Sequence, residues 1–214
     1  RTNTNVRNAN IFLNLTNDNM NLFIDIETIQ DESMTQEQID EARELRKEQY
    51  DFLPEYHRIL CISAWYINEN WESVITVLTW SEKTMIEEFY KMVKTNTIVG
   101  FNITGFDIPF IVKRWLYHWI RVPNALKTFW KKPWEMTNII DLYTTYKMTS
   151  YNSGSLDTVC KFLWVKSSKD EWIDWSMVQW LHNQWMDNEI YEYCKRDVRA
   201  TIDVYKRLVE LNFI

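Results

Sequence analysis

The sequence predicts an α/β protein in which a mixed β-sheet is flanked by helices. Apolar, β-branched runs at 21–27, 58–67 and 73–79 come first, and the short "NENWE" joins the last two as a hairpin. From residue 81 onward strand-like and helix-like segments alternate, which adds interleaved strands and crossover helices to the antiparallel start.

Each element has its own signal. Residues 1–20 are Asn-rich with little periodicity and read as a tail, with "IFLNL" as an edge-strand candidate. "LFIDIETIQ" begins as an apolar strand at 21–27. "TQEQIDEARELRKEQY" (35–50) predicts a helix opened by a capping box of Thr35 and Gln38, standing apart as an exposed insertion. Residues 81–94 place Met85, Ile86, Phe89, Met92 and Val93 on one helical face. "TIVGF" is a short strand, 107–118 a helix, "NIIDLY" a short apolar element, 155–163 a helix and 187–211 a long final helix. Residues 21–214 are expected to form a single domain, the ordinary outcome for a chain of 214 residues.

Composition narrows the function classes. No run of about eighteen apolar residues is present, so no membrane span is expected. The first residue is Arg1 and no basic-then-apolar leader follows it. Cys61, Cys160 and Cys194 are too few and too scattered for a disulfide framework or a zinc site, and a reducing, cytoplasmic setting is expected. A net charge of −6 argues against a broad basic face for nucleic acid. It leaves room for a nuclease, because divalent cations in an acidic site turn the local field positive.

The acids supply the chemistry. Asp25 and Glu27 are two apart in a strand and therefore point to the same side. "VGFNITGFDIPF" (99–110) runs from strand to helix start and carries Asp107, with Asn102 and Phe106 just before it. In "YEYCKRDVRATIDVYKRL" (191–208) Tyr193 and Asp197 are four apart and share one helical face. Two divalent cations roughly 4 Å apart need several oxygen ligands to clamp the attacking and leaving oxygens of a phosphoryl displacement. Four such acids from three segments meet that need if the fold joins them.

The segments "FIDIET", "NITGFDIPF" and "YCKRDV", in this order, resemble the three exonuclease motifs of the DEDD superfamily of 3′→5′ exonucleases, in the tyrosine subgroup. The chain is similar to a stand-alone version of the proofreading domain of family B DNA polymerases, over roughly residues 20–210. The resemblance implies a ribonuclease H-like fold, with a five-stranded mixed sheet whose first three strands are antiparallel. It implies Asp25, Glu27, Asp107 and Asp197 as ligands to two divalent cations, Mg²⁺ or Mn²⁺, with Tyr193 orienting the attacking water. It places Thr28, Asn102 and Phe106 near the 3′ end of the substrate. The expected reaction is hydrolysis of the terminal phosphodiester of single-stranded DNA, releasing nucleoside 5′-monophosphates. The Phe-Asp-x-Pro-Phe pattern of the second motif leans toward the DNA polymerase relatives, with RNA 3′ ends as the alternative substrate. A non-catalytic binding module would be marked by a lost acid, and all four acids and the tyrosine are present.

Ordinary alternatives exist for each residue. Asp25 and Glu27 could face solvent on an edge strand, but Leu22, Phe23, Ile24 and Ile26 around them describe a buried one. Asp107 could cap the helix that follows it. Tyr193 could be core packing and Asp197 a surface charge beside Lys195 and Arg196. Asp141, in "IIDLY", is expected to serve structure or the substrate side, and His57, His118 and His182 have no ligand spacing.

Tryptophan occurs twelve times and glycine three times. Average usage of about 7% would give roughly fifteen glycines in such a chain. Asn70-Trp71 stands where a hairpin wants Asn-Gly, Trp164 follows a helix at the place of a C′ glycine, Trp119 ends another helix before a proline, Trp80 falls in a strand-to-helix turn and Asp174-Trp175 resembles Asp-Gly. The expectation is that many of these tryptophans are glycine in the gene's own host, by reading of UGA, with Trp134 the readiest to be genuine. The competing reading, a stacking platform for bases, suits their scatter poorly.

Overall fold

A computed structural model of the chain describes residues 20–46, 53–67, 73–94, 96–128, 131–132, 135–148, 154–170 and 173–214. "IFLNL", Trp71 and Trp134 lie outside the described residues.

Five strands form one sheet: β1 (Asn21–Gln30), β2 (His57–Ile67), β3 (Ser73–Leu78), β4 (Thr97–Gly100) and β5 (Ile139–Asp141), in the order β3-β2-β1-β4-β5. β1 pairs antiparallel with β2, and β2 with β3, while β1–β4 and β4–β5 are parallel. This is the five-stranded mixed sheet expected, with its first three strands antiparallel. β1 is the middle strand, so its acids are not on an edge.

Alternation along β1 divides the core. Leu22, Ile24 and Ile26 face helices α2 (Glu82–Val93) and α3 (Asp107–Tyr117) and pack with Met85, Ile86, Phe89, Ile111 and Trp115. Phe23 faces the other way and packs with Trp65, Val99, Val198 and Ile202, the last two from the long helix α7 (Asp187–Glu210). Asp25 and Glu27 continue the side of Phe23, and so lie beneath α7. Past Glu27 the register with β2 slips by one residue, Glu27 pairing with Cys61 and Thr28 with Ile59, which leaves Leu60 as a bulge. The strand is thus re-aimed where its acids emerge.

The segment after β1 forms α1 (Gln36–Arg46), and its capping box is reciprocal: Gln38 N–H donates to Thr35 Oγ1 at 3.3 Å, and Thr35 N–H to Gln38 Oε1 at 2.9 Å. Its Ile39 is buried against Met34 and Tyr56, apart from the main core. "NIIDLY" is β5 followed at once by a short helix, α4 (Leu142–Lys147). Helix α5 spans Leu156–Phe162, and a further short helix, α6 (Val178–Asn183), precedes α7. The periodicity did not reveal α4 or α6, because six residues are under two turns. No helix among the described residues is long and apolar enough to cross a membrane.

Arg114 of α3 ties the acid-bearing strand to its neighbours. Its side chain is 2% exposed. Nε and Nη2 donate to both oxygens of Glu82 at 2.8 and 2.6 Å, Nη2 also to Asp31 Oδ2 at 3.0 Å, and Nη1 to the carbonyl of Pro54 at 2.9 Å. Glu82 Oε1 further accepts from the N–H of Ile59, and its Oε2 meets His118 Nε2 at 2.7 Å. Removing the cation would strand two carboxylates in the interior. Arg114→Met is expected to destabilise the protein by about 3–5 kcal/mol, read from urea denaturation curves.

Candidate active site

Asp25 and Glu27 leave β1 on the same side, one half-buried and the other buried. Asp107 is the first residue of α3 and is buried. Its Oδ1 accepts the N–H of Ile26 at 3.2 Å, so it is bonded across to the strand that carries the other acids. Tyr193 and Asp197 are one turn apart on α7, with the tyrosine side chain beside the Asp197 carboxylate. Cys194, between them, directs its thiol at Asp25, 3.4 Å from Oδ2.

Asp25, Glu27, Asp107, Tyr193 and Asp197 line one cleft of about 730 Å³, together with Thr28, Asn102 and Phe106. All eight residues singled out from the sequence therefore meet in one place. Among the described residues, none of the four carboxylates forms a salt bridge with Lys, Arg or His. A buried to half-buried, oxygen-rich donor set free of salt bridges fits hard divalent cations. The carboxylates of Asp25 and Glu27 and the Cys194 sulfur lie within 4.8 Å of one another, close enough to share an ion.

The electrostatics follow from that crowding. Asp25 is held well above the usual carboxylate range, by burial first and then by the charges of Asp197 and Asp107. Glu27 is raised by burial and then by Asp25. Asp107 is pushed up to about 7 by burial, against the hydrogen bonds that its carboxylate accepts. Asp197 is also raised by burial, with Ser168, Tyr193 and Lys169 pulling it back. Burial and the neighbouring acids raise Tyr193 too, so it remains a neutral phenol.

Residues 50–212 match the family described as predicted 3′-5′ exonucleases related to the exonuclease domain of PolB. The chain belongs to this PolB-related exonuclease family. The match begins after β1 and does not include Asp25 and Glu27, which the fold brings to the same cleft. No curated protein matches the chain. Among solved structures it is similar to E. coli exonuclease I in complex with a 5cy-dT13 oligonucleotide, at 14% identity and a TM-score of 0.51, over 90% of this chain and 40% of that one. It is likewise similar to the zinc-ion-bound form of the E. coli ExoI–ssDNA complex, at 13% identity and a TM-score of 0.53, again over 90% and 40%. At these identities the likeness is one of fold, and the chain spans about 40% of the length of those proteins.

The PolB-related exonuclease cleft holds residues that the sequence did not single out. Ser168 and Lys169 border a branch of it beside Asp197, and the charges of Lys169 and Arg196 favour that acid's ionised form. Trp175, Ser176 and Gln179 form the opposite wall, and Gln179 Oε1 accepts the N–H of Gln30 at 2.7 Å. Loop residues without periodicity give no such warning. Asp141 has a defined task. Buried at the end of β5, its carboxylate accepts from Asn102 N–H at 2.8 Å, Thr104 N–H at 2.9 Å, the Thr104 hydroxyl and Tyr143 N–H at 3.0 Å. It thereby fixes the turn in which Asn102 takes a φ of 63° and from which Phe106 and Asp107 emerge. The bland reading of Asp107 as a helix cap does not apply, since Phe106 holds the cap position and the carboxylate reaches Ile26.

Two expectations follow from this geometry. Asp141→Ala leaves the turn's N–H groups without their acceptor, and should cost about 1–3 kcal/mol in thermal denaturation. Asp107 favours its protonated form in the folded chain, so its contribution to stability is complete below about pH 3.8 and is lost as the pH rises through about 7. In EDTA the protein should therefore melt at a lower temperature at pH 8 than at pH 5, and Asp107→Asn should flatten that slope; thermal melts across the range check both.

Proposed function

We propose that this chain is a 3′→5′ exonuclease that shortens single-stranded DNA with the help of two divalent cations, releasing nucleoside 5′-monophosphates. The observation that carries the proposal is the convergence of four carboxylates, from β1, the start of α3 and α7, on one cleft with no salt bridge to Lys, Arg or His among the described residues, and with Tyr193 beside them. Residues 21–214 act in this reading as one exonuclease domain, with α1 as an insertion.

Asp25, Glu27, Asp107 and Asp197 would hold the cations, Mg²⁺ or Mn²⁺. Such ions, when bound, stabilise negative charge on the attacking and leaving oxygens of the phosphodiester. Tyr193 orients the water: its raised proton affinity keeps it from acting as a base, while its hydroxyl can still donate and accept hydrogen bonds. Asn102 and Phe106 on one side and the backbone at Thr28 on the other would bracket the terminal nucleotide. The ssDNA complex of exonuclease I, which shares the fold, supports a single strand as the substrate.

The test is digestion of 5′-labelled single-stranded DNA and of the matching RNA, with Mg²⁺, Mn²⁺ or EDTA. A ladder shortening from the 3′ end of DNA, absent in EDTA, is expected; faster loss of the RNA would move the substrate to RNA ends. Asp25→Asn and Asp197→Asn should each lower the rate by about 10²–10³-fold. Tyr193→Phe should lower it by about 10²-fold with metal affinity unchanged. Full activity in Asp25→Asn would overturn the assignment.

A further inference from the structure

Four helices of the chain end in the same backbone motif. At the end of α3, Trp119 N–H donates to the carbonyl of Leu116 and Ile120 N–H to that of Trp115, at 3.1 and 3.0 Å. At the end of α5, Trp164 N–H donates to Lys161 and Val165 N–H to Cys160. At the end of α6, Trp185 N–H donates to His182 and Met186 N–H to Leu181. At the end of α7, Asn212 N–H donates to Val209 and Phe213 N–H to Leu208. Each is a Schellman closure, with an apolar residue just beyond the turn.

The motif requires its C′ residue to be left-handed, a conformation in which a side chain's Cβ crowds the following carbonyl. Glycine takes that place most often and asparagine sometimes. Asn212, at φ 54°, follows this rule. The other three C′ residues are tryptophans, at φ 59°, 58° and 62°. Their side chains contribute nothing in exchange, for Trp119, Trp164 and Trp185 are 95%, 91% and 92% exposed. The glycines that the sequence does contain, Gly100, Gly105 and Gly154, all have negative φ. The chain thus places tryptophan where its backbone needs glycine.

Trp65 and Trp115 differ. They lie in the core, on an ordinary strand and an ordinary helix. Trp80 and Trp175 also have ordinary φ, so the turns expected there do not demand glycine.

We propose that positions 119, 164 and 185 are glycine in the protein as its own cells make it: the codon is UGA, rendered here as tryptophan and read by the host as glycine. Position 119 precedes Tyr193 and Asp197, so a cell that stops at UGA would make no complete site.

Two measurements test this without any use of nuclease activity, so their outcome is independent of the proposed function. The first is the mass of peptides spanning 119, 164 and 185 from the protein isolated from its own cells, with the codons read alongside. Glycine masses and UGA codons are expected; tryptophan masses or UGG codons overturn the proposal. The second compares thermal melts of the chain as written with its W119G, W164G and W185G variants and with alanine at the same sites. Alanine removes the exposed indole but keeps the left-handed cost, so glycine should raise Tm by about 2–4 °C per site above alanine. Equal melting of glycine and alanine variants would remove the structural basis of the proposal. W180G, inside α6, is the control and should lower Tm.

Discussion

Four carboxylates around one cleft repel one another, and burial removes much of the water that would screen the repulsion. Such a cluster persists only where the surrounding structure leaves its members nowhere else to go. Here β1 is clamped between two apolar layers, with Leu22, Ile24 and Ile26 on one side and Phe23 on the other. The strand cannot rotate without exposing one set. Asp107 is tied to β1 by the N–H of Ile26, and Asp197 rides on a helix whose apolar face is spent against the sheet. The cost of collecting the acids is therefore borne by packing that lies outside the site.

Positioning is shared among residues that bear no chemistry. Asp141 sets the turn before α3 from below, and Arg114 with Glu82 fixes the far end of the same helix to the strand edge. The bulge at Leu60 lies opposite the point where Glu27 leaves the sheet. Bulges locally increase twist and re-aim side chains, which is what a strand must do when its next residues turn from core to cleft.

Much of this was legible in the sequence, and for identifiable reasons. The antiparallel pairing of β2 with β3 followed from the short link between them, and the same-side placement of Asp25 and Glu27 from a period of two. Helix α7 was readable because twenty-four residues give periodicity room to show. The task of Asp141 was not readable, because the turn residues it holds, Asn102 and Thr104, lie nearly forty residues earlier in the chain. Ser168, Lys169 and Gln179 sit in loops or on a short helix, where one residue looks like the next. The tryptophan pattern was legible by position at 119 and 164 and was missed at 185, since a six-residue helix does not announce its own end. Trp80 and Trp175 sit in turns, but not every turn needs a left-handed residue.

The contact between Cys194 and Asp25 joins residues 169 positions apart, from the first described strand to the last helix. A site assembled across that separation cannot form piecemeal. During synthesis the acids of β1 emerge early and wait, unpaired, until α7 leaves the ribosome and docks. A chain cut short before that helix keeps three of the four carboxylates, Asp25, Glu27 and Asp107, and lacks Tyr193 and Asp197. The site is therefore closed by long-range packing, since only the docking of α7 against the sheet completes the cleft.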